Sequence, residues 1–314
     1  MSERGARHDV RQPEWTVRRE RSSPAVIRLM VWLSLQLGRP FGRLILHGIA
    51  AYFLAFAPAA RRASRQYLLR ALGRAPTIGD LYRHIFTFST VLHDRIYLLN
   101  DRFDLFDIEI SGEEQVMSLA GQPGGAIVIG AHIGSFEVLR ALGRTRPQLS
   151  IAVLMYQENA RKFNDILAAI NPAAAHDIIP LAQLDSMLKV QDRLEQGHIV
   201  GILGDRAPSS EGMLMRPFLG APAALPTGAL RMAALLRKPV YFMAGLHLGG
   251  NRYRIQFEPL TDFSTVTRGE RAAAIERALD AYVACLERCC RQAPYNWFNF
   301  FDFWALRPDS GKSS

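Results

Sequence analysis

The first chemical signal in this 314-residue chain is a histidine and a glutamate separated by four residues, His132 and Glu137. They sit in the run Gly125-Ala126-Ile127-Val128-Ile129-Gly130-Ala131-His132-Ile133-Gly134-Ser135-Phe136-Glu137. A free imidazole titrates close to neutrality and takes a proton from an alcohol. A carboxylate on its other nitrogen fixes the tautomer and stabilises the imidazolium. Glu137 is close enough in sequence to reach back to the ring, so one local loop would deliver both a base and the group that orients it. The plainer reading of the pair is a loop histidine and a glutamate that complements a helix dipole.

The elements around the pair favour the chemical reading. The apolar, β-branched run before His132 predicts a buried parallel strand. Ser135 predicts a helix cap, and Phe136 to Arg144 a helix of period 3.6. His132 then falls in a strand-to-helix turn, where open α/β sheets place ligands. Gly134-Ser135-Phe136-Glu137 also invites comparison with a hydrolase nucleophile elbow. That turn needs glycine two residues after the serine, and Glu137 stands there instead.

The segment resembles the His-x4-Asp/Glu motif of the lysophospholipid acyltransferase superfamily. It is most similar to the lipid A late acyltransferases, whose local pattern is His-x-Gly-Asn-Trp-Glu. The resemblance runs over roughly residues 30 to 308. It implies that His132 is a general base and Glu137 its orienting acid. It also implies an O-acyl transfer from an acyl thioester on acyl carrier protein or CoA, to a hydroxyl of a glycolipid or related envelope lipid, with no cofactor. Arg216-Pro217-Phe218-Leu219-Gly220 and Pro226-Thr227-Gly228 resemble elements that border the family's acyl-chain pocket. Tyr156 and Asn159 resemble a Tyr…Asn-Pro element, although no proline follows Asn159 here. The alternative is a non-catalytic member of the fold that binds an acyl carrier or lipid.

A second strand, Ile199 to Leu203, ends in Gly204-Asp205-Arg206 on the same rim of the sheet. Asp205 or Arg206 there could bind a phosphate, a phosphopantetheine arm or a sugar hydroxyl, or simply pair with each other. Substrate contacts are therefore expected at Asn159, Asp205, Arg206, Thr227 and Gly228. The oxyanion would fall to backbone N–H groups near Gly134 or to an arginine.

Charge is unevenly spread. The net charge is +9. Through residue 74 there are 14 arginines against 4 acidic residues, while the remaining 24 basic and 25 acidic residues nearly cancel. Such a skew suits an anionic membrane surface or an acidic carrier protein. The basic residues flank aliphatic helices rather than aromatic platforms, which argues against nucleic acid. Pro24 to Pro58 is strongly apolar but broken by Arg28, Gly38-Arg39-Pro40, Arg43 and His47. No piece reaches the ~20 residues of a spanning helix. With Arg61-Arg62-Ala63-Ser64-Arg65 it predicts a helical hairpin lying in a membrane interface, at the cytoplasmic face of a bacterial inner membrane. A soluble hairpin packed on the core is the other reading. Cys285, Cys289 and Cys290 are odd in number and lack zinc spacing, which points to a reducing compartment. No secretory leader pattern opens the chain.

Four segments follow: a polar tail (1–23), the membrane-associated helical segment (24–75), the catalytic domain (76–308) and a tail (309–314). Pro76 to Leu99 predicts a helix, whose His84 and His93 are read as solvated or core residues. From Phe106 on, strands and helices alternate. They predict an α/β fold with a mainly parallel central sheet wrapped by helices, similar to glycerolipid acyltransferases. Gly249-Gly250-Asn251 marks a hairpin. Near the end, Trp297-Phe298-Asn299-Phe300-Phe301-Asp302 stands where the resembling family carries Trp-x-His-Arg-Arg. Loss of the arginines predicts a less anionic acceptor than a bis-phosphorylated lipid A precursor. The plainer reading is that these aromatics close the core.

Overall fold

The computed structural model describes residues 24–119, 124–139, 150–156, 170, 177–181, 185–207 and 212–305. Asn159, the terminal tails and most of the expected 136–144 and 159–170 helices lie outside them.

The sheet is built from the apolar runs. Strands β1 (Asp107–Ser111), β2 (Ala126–Gly130), β3 (Ile151–Tyr156), β4 (Asp177–Leu181) and β5 (Ile199–Leu203) join β8 (Pro239–Gly249) and β9 (Arg252–Asp262). Their order is β1-β9-β8-β2-β5-β3-β4. Every neighbouring pair is parallel except the β8–β9 hairpin, which turns at Gly250. All five residues of β2 are buried. Ile127 and Ile129 enter one apolar cluster, Ala126 and Val128 the other, so alternate side chains feed cores on both faces.

Helices cover those faces. On one lie α2 (Pro58–Leu72), α6 (Gly228–Leu236) and α7 (Arg271–Gln292), with Tyr67, Ala233 and Leu286 buried. On the other lie α1 (Pro24–Phe56) and α3 (Ile78–Leu99), with Val31, Val91 and Ile96 buried. Two shorter helices, α4 (Glu113–Leu119) and α5 (Ser186–Glu195), complete the set among the described residues. Thr77 and Asp80 form a reciprocal capping box at the start of α3. Cys285, Cys289 and Cys290 are buried thiols on α7.

The N-terminal helices break where the sequence indicates. Gly38 holds φ 78° inside α1, two residues before Pro40. The helix is tied to the body just beyond this kink. Arg39 makes a forked pair with the fully buried Asp94, at 2.6 and 2.8 Å, and the Tyr253 hydroxyl donates to the same carboxylate at 2.8 Å. Among the described residues no single helix is long and apolar enough to cross a membrane; α1 and α2 pass that test only as a pair bent by 95°.

One strand has no counterpart in the sequence reading. Ala221–Pro226 forms β7, which pairs antiparallel with β6 (Met213–Phe218) in a separate hairpin.

Candidate active site

β2 and β5 are neighbours in register, with Gly130 opposite Leu203. Two residues beyond each stand His132 and Asp205, so the register itself sets the imidazole beside the carboxylate. His132 Nδ1 lies 2.7 Å from Asp205 Oδ1, and the His132 backbone N–H donates to the same oxygen at 3.2 Å. The Trp297 indole N–H donates to Oδ2 at 3.1 Å, and Arg206 approaches it at 3.6 Å. Asp205 is wholly buried. Burial pushes its pKa up, but the His132 and Arg206 charges and the two side-chain hydrogen bonds outweigh it and hold the carboxyl far below the usual carboxylate range. An ionised Asp205 accepts the Nδ1 proton and leaves Nε2 as the basic nitrogen. His132 is 39% exposed, enough for a substrate to reach it.

Here the structure corrects the sequence reading. The carboxylate on the imidazole is Asp205, not Glu137. Glu137 is buried, accepts the Ser135 hydroxyl at 3.1 Å and pairs with Arg95 Nε of α3 at 2.7 Å. The Ser135 hydroxyl thus serves Glu137; residues Glu137–Leu139 form a 3₁₀ turn, and the rest of the expected 136–144 helix lies outside the described residues. The backbone donors expected to hold an oxyanion are also engaged. Gly134 N–H donates to Asn296 O at 2.9 Å and Ser135 N–H to Gly245 O at 2.7 Å. This close approach is why both positions are glycine. A Cβ on Gly134, at φ +60°, would strike the Gly245 carbonyl, and one on Gly245 would strike that of Ser135.

Two cavities meet at His132. One, of about 350 Å³, runs between α3 and the C-terminal segment, with Phe88, Leu92, Phe298, Phe300 and Phe301 in its wall. The other, of about 340 Å³, runs over the ends of β3 and β5, with Glu137, Met155, Tyr156 and Leu181 in its wall. Arg95, His132, Phe136, Leu203 and Arg206 line both. Arg206 is fixed by donating to Phe298 O at 2.8 Å and by lying 5.0 Å from the Phe301 ring centroid. Among the described residues no group of three or more His, Cys, Asp and Glu side chains is arranged to hold a metal ion.

Thr227 and Gly228 are not brought to His132. The Thr227 hydroxyl donates to Gly212 O at 2.6 Å, and neither residue is in the wall of either cavity. Phe218, from the element expected to border a chain pocket, packs edge-on against Trp297 with centroids 5.2 Å apart. The C-terminal segment also has a different role from the one its composition implied. Asn296 is buried and exchanges two hydrogen bonds with the His247 backbone, at 2.7 and 3.0 Å, while Asn299 donates to Phe301 O at 3.0 Å. These amides hold backbone and are not available to an acceptor. Phe298 N–H donates to His132 O at 2.8 Å, so the segment clamps the turn that carries the base. His84 and His93 are both core residues.

Sequence reasoning overlooked Arg95. Its signal was positional: it follows Phe88 by seven residues and Val91 by four, on the apolar stripe of α3.

Residues 15–305 match the family of bacterial lipid A biosynthesis acyltransferases. The chain belongs to that family. A search of curated proteins returned no match. Acyl transfer to a lipid of the bacterial envelope is therefore the activity against which the acyltransferase site is read, and the resemblance carried by His132 to Glu137 extends over nearly the whole chain.

Proposed function

We propose that the protein transfers an acyl group from a thioester, on acyl carrier protein or CoA, to a hydroxyl of an envelope lipid, with His132 as general base. The observation that carries this reading is the His132–Asp205 contact at 2.7 Å, at the meeting point of two cavities. Asp205 fixes the tautomer, so Nε2 takes the proton as the acceptor oxygen attacks the thioester carbonyl. Arg95 and Arg206 are the cationic groups in the shared wall, suited to the developing oxyanion. Collapse of the tetrahedral intermediate breaks the C–S bond, and the imidazolium returns its proton to the departing thiolate. Glu137 supports this chemistry through Arg95. No cofactor enters the scheme.

The reaction is placed at the cytoplasmic face of the inner membrane. Leu29, Trp32, Leu44, Tyr52 and Phe56 of α1 expose large apolar surface. Arg61, Arg62 and Arg65 follow on α2, a pairing of apolar face and basic cluster suited to anionic lipid. The same basic region is complementary to an acidic carrier protein.

The test is incubation of purified full-length protein with acyl thioesters and a membrane lipid extract, with mass spectrometry of the lipid products. Acylated lipid formed by the parent and lost about 10²–10⁴-fold in His132→Ala is the expected result. A His132→Ala protein with more than half the parental rate would overturn the mechanism.

A further inference from the structure

Trp297 is bonded to both members of the catalytic pair. Its indole N–H donates to Asp205 Oδ2 at 3.1 Å. The residues on either side of it hold the His132 turn: Asn296 O accepts from Gly134 N–H at 2.9 Å, and Phe298 N–H donates to His132 O at 2.8 Å. The Trp297 carbonyl is taken by a side chain of α3, His84, whose Nε2 lies 2.9 Å away. His84 Nδ1 lies in turn 2.8 Å from the Ser64 hydroxyl of α2. Ser64, His84 and Trp297 are all fully buried. A continuous run of hydrogen bonds therefore leads from α2, through α3 and the C-terminal segment, to Asp205 and His132. We infer that His84 is a positioning residue of the reaction: with Ser64 it fixes the Trp297 backbone, and through Trp297 it sets Asp205 against the imidazole. This rests on His132 as the general base, as proposed above.

The acceptors and donors fix the state of each link. A carbonyl oxygen only accepts, so His84 Nε2 carries the proton. Burial lowers the His84 pKa to about 4, so the ring is neutral near neutral pH and its bare Nδ1 accepts from the Ser64 hydroxyl. Packing alone does not call for this pair, since two apolar side chains of the same shape would fill the space at no loss of stability. What the pair adds is direction. The Trp297 carbonyl also accepts from Asn299 N–H at 2.8 Å, but that bond closes a turn within the segment itself. His84 supplies the tie from the segment to the helices. A shift of about 1 Å in such a support is enough to cost rate at the reacting atoms. The faces of the ring have a second use. They stack on Phe300 and Phe298, with centroids 4.7 and 6.4 Å away, and both phenylalanines are in the wall of the first His132 cavity. The edge of the imidazole thus serves the catalytic pair and its face serves the wall.

The test separates the polar edge of the ring from its bulk, in full-length protein assayed with an acyl thioester and a membrane lipid extract. His84→Leu fills the site but removes both hydrogen bonds, and kcat should fall about tenfold, the worth of one such bond. His84→Gln keeps an amide N–H for the Trp297 carbonyl and should bring kcat back to within about threefold of the parent. Ser64→Ala should fall between them. Val190→Ala, a buried change on α5 outside both His132 cavities, controls for lost stability and should keep the parental kcat. Combined with Trp297→Phe, His84→Leu should cost less than the product of the two single losses, because both act on Asp205. Nitrogen-15 NMR of the imidazoles gives a readout besides turnover: His132 should show one tautomer, protonated at Nδ1, in the parent and a mixture in His84→Leu. A parental kcat and an unchanged His132 spectrum in His84→Leu would overturn the inference. So would a His84→Gln no better than His84→Leu, or a loss that Val190→Ala matches at equal stability. Parental activity in His132→Ala is a different failure: it would remove the general-base reading itself, whatever the His84 variants do.

Discussion

The turns that follow β2 and β5 each carry a buried acidic residue, and the two do different work. Asp205, after β5, faces the imidazole and takes three donors: the His132 ring, the His132 backbone and the Trp297 indole. Glu137, after β2, faces away to Arg95 and Ser135. The acid nearer to His132 in sequence is the one that does not bond it. Here the base is oriented by what the β2–β5 register sets beside it, not by the acid that follows it in its own turn.

The largest expected effect tests that contrast directly. Asp205→Asn keeps the shape but removes the charge and permits the wrong tautomer, which cost about 10⁴-fold in the serine protease triad. A loss on the order of 10²–10⁴-fold in kcat is expected here. Glu137→Gln leaves His132 oriented and weakens the hold on Arg95, so its loss should be smaller and include a raised KM. Steady-state kinetics of the two variants side by side decide the matter. A Glu137→Gln loss larger than that of Asp205→Asn would reverse the assignment.

The same region contains a second histidine that sharpens the comparison. His84 is fully buried, its Nδ1 2.8 Å from Ser64 Oγ and its Nε2 2.9 Å from Trp297 O. Burial lowers its pKa to about 4, against a weaker upward pull from the Trp297 carbonyl. The folded state therefore prefers the neutral ring, while the unfolded chain takes up a proton near pH 6.5. Stability should be full above that pH and fall as the pH drops from about 6.5 to about 4, by on the order of 3 kcal/mol if burial acts fully. Denaturant titrations across that window should show the slope in the parent and a flatter one in His84→Gln. An equal slope in both would mean other groups dominate acid unfolding.

Most of the sheet was legible in the sequence. Ile199–Leu203 stands where its apolar run places it, because a strand in the middle of a parallel sheet needs unbroken hydrophobicity. β7 was not legible. Its Pro222 and Pro226 among alanines give no strand signal, yet a two-stranded hairpin has free edges where proline costs no ladder bond. His132 was legible as a base from its place at a strand end. Its true partner was not, since Asp205 is 73 residues away and only the β2–β5 register brings them together. The C-terminal aromatics were visible as a cluster, but which of them close the core and which face the substrate depends on hydrogen bonds made by Asn296 and Asn299 to backbone far away in sequence or around a turn.

The smallest effect is expected at Trp297, the residue that joins the C-terminal segment to the Asp205 turn. Its indole is wholly buried and stacks edge-on with Tyr67, Phe218 and Phe303. Trp297→Phe keeps much of that apolar contact and deletes the N–H that serves Asp205 Oδ2. A hydrogen bond to a charged acceptor contributes about 1.5–3 kcal/mol, so stability should fall by roughly that amount. Asp205 keeps its His132 bond and the Arg206 charge, so it remains ionised near neutral pH and kcat should drop only a few-fold. Arg206→Lys offers the contrast, since it alters the shared wall of both cavities and should raise KM while leaving the Trp297 bond in place. If Trp297→Phe is as stable and as active as the parent, the indole donor is dispensable and Asp205 is held by His132 and Arg206 alone.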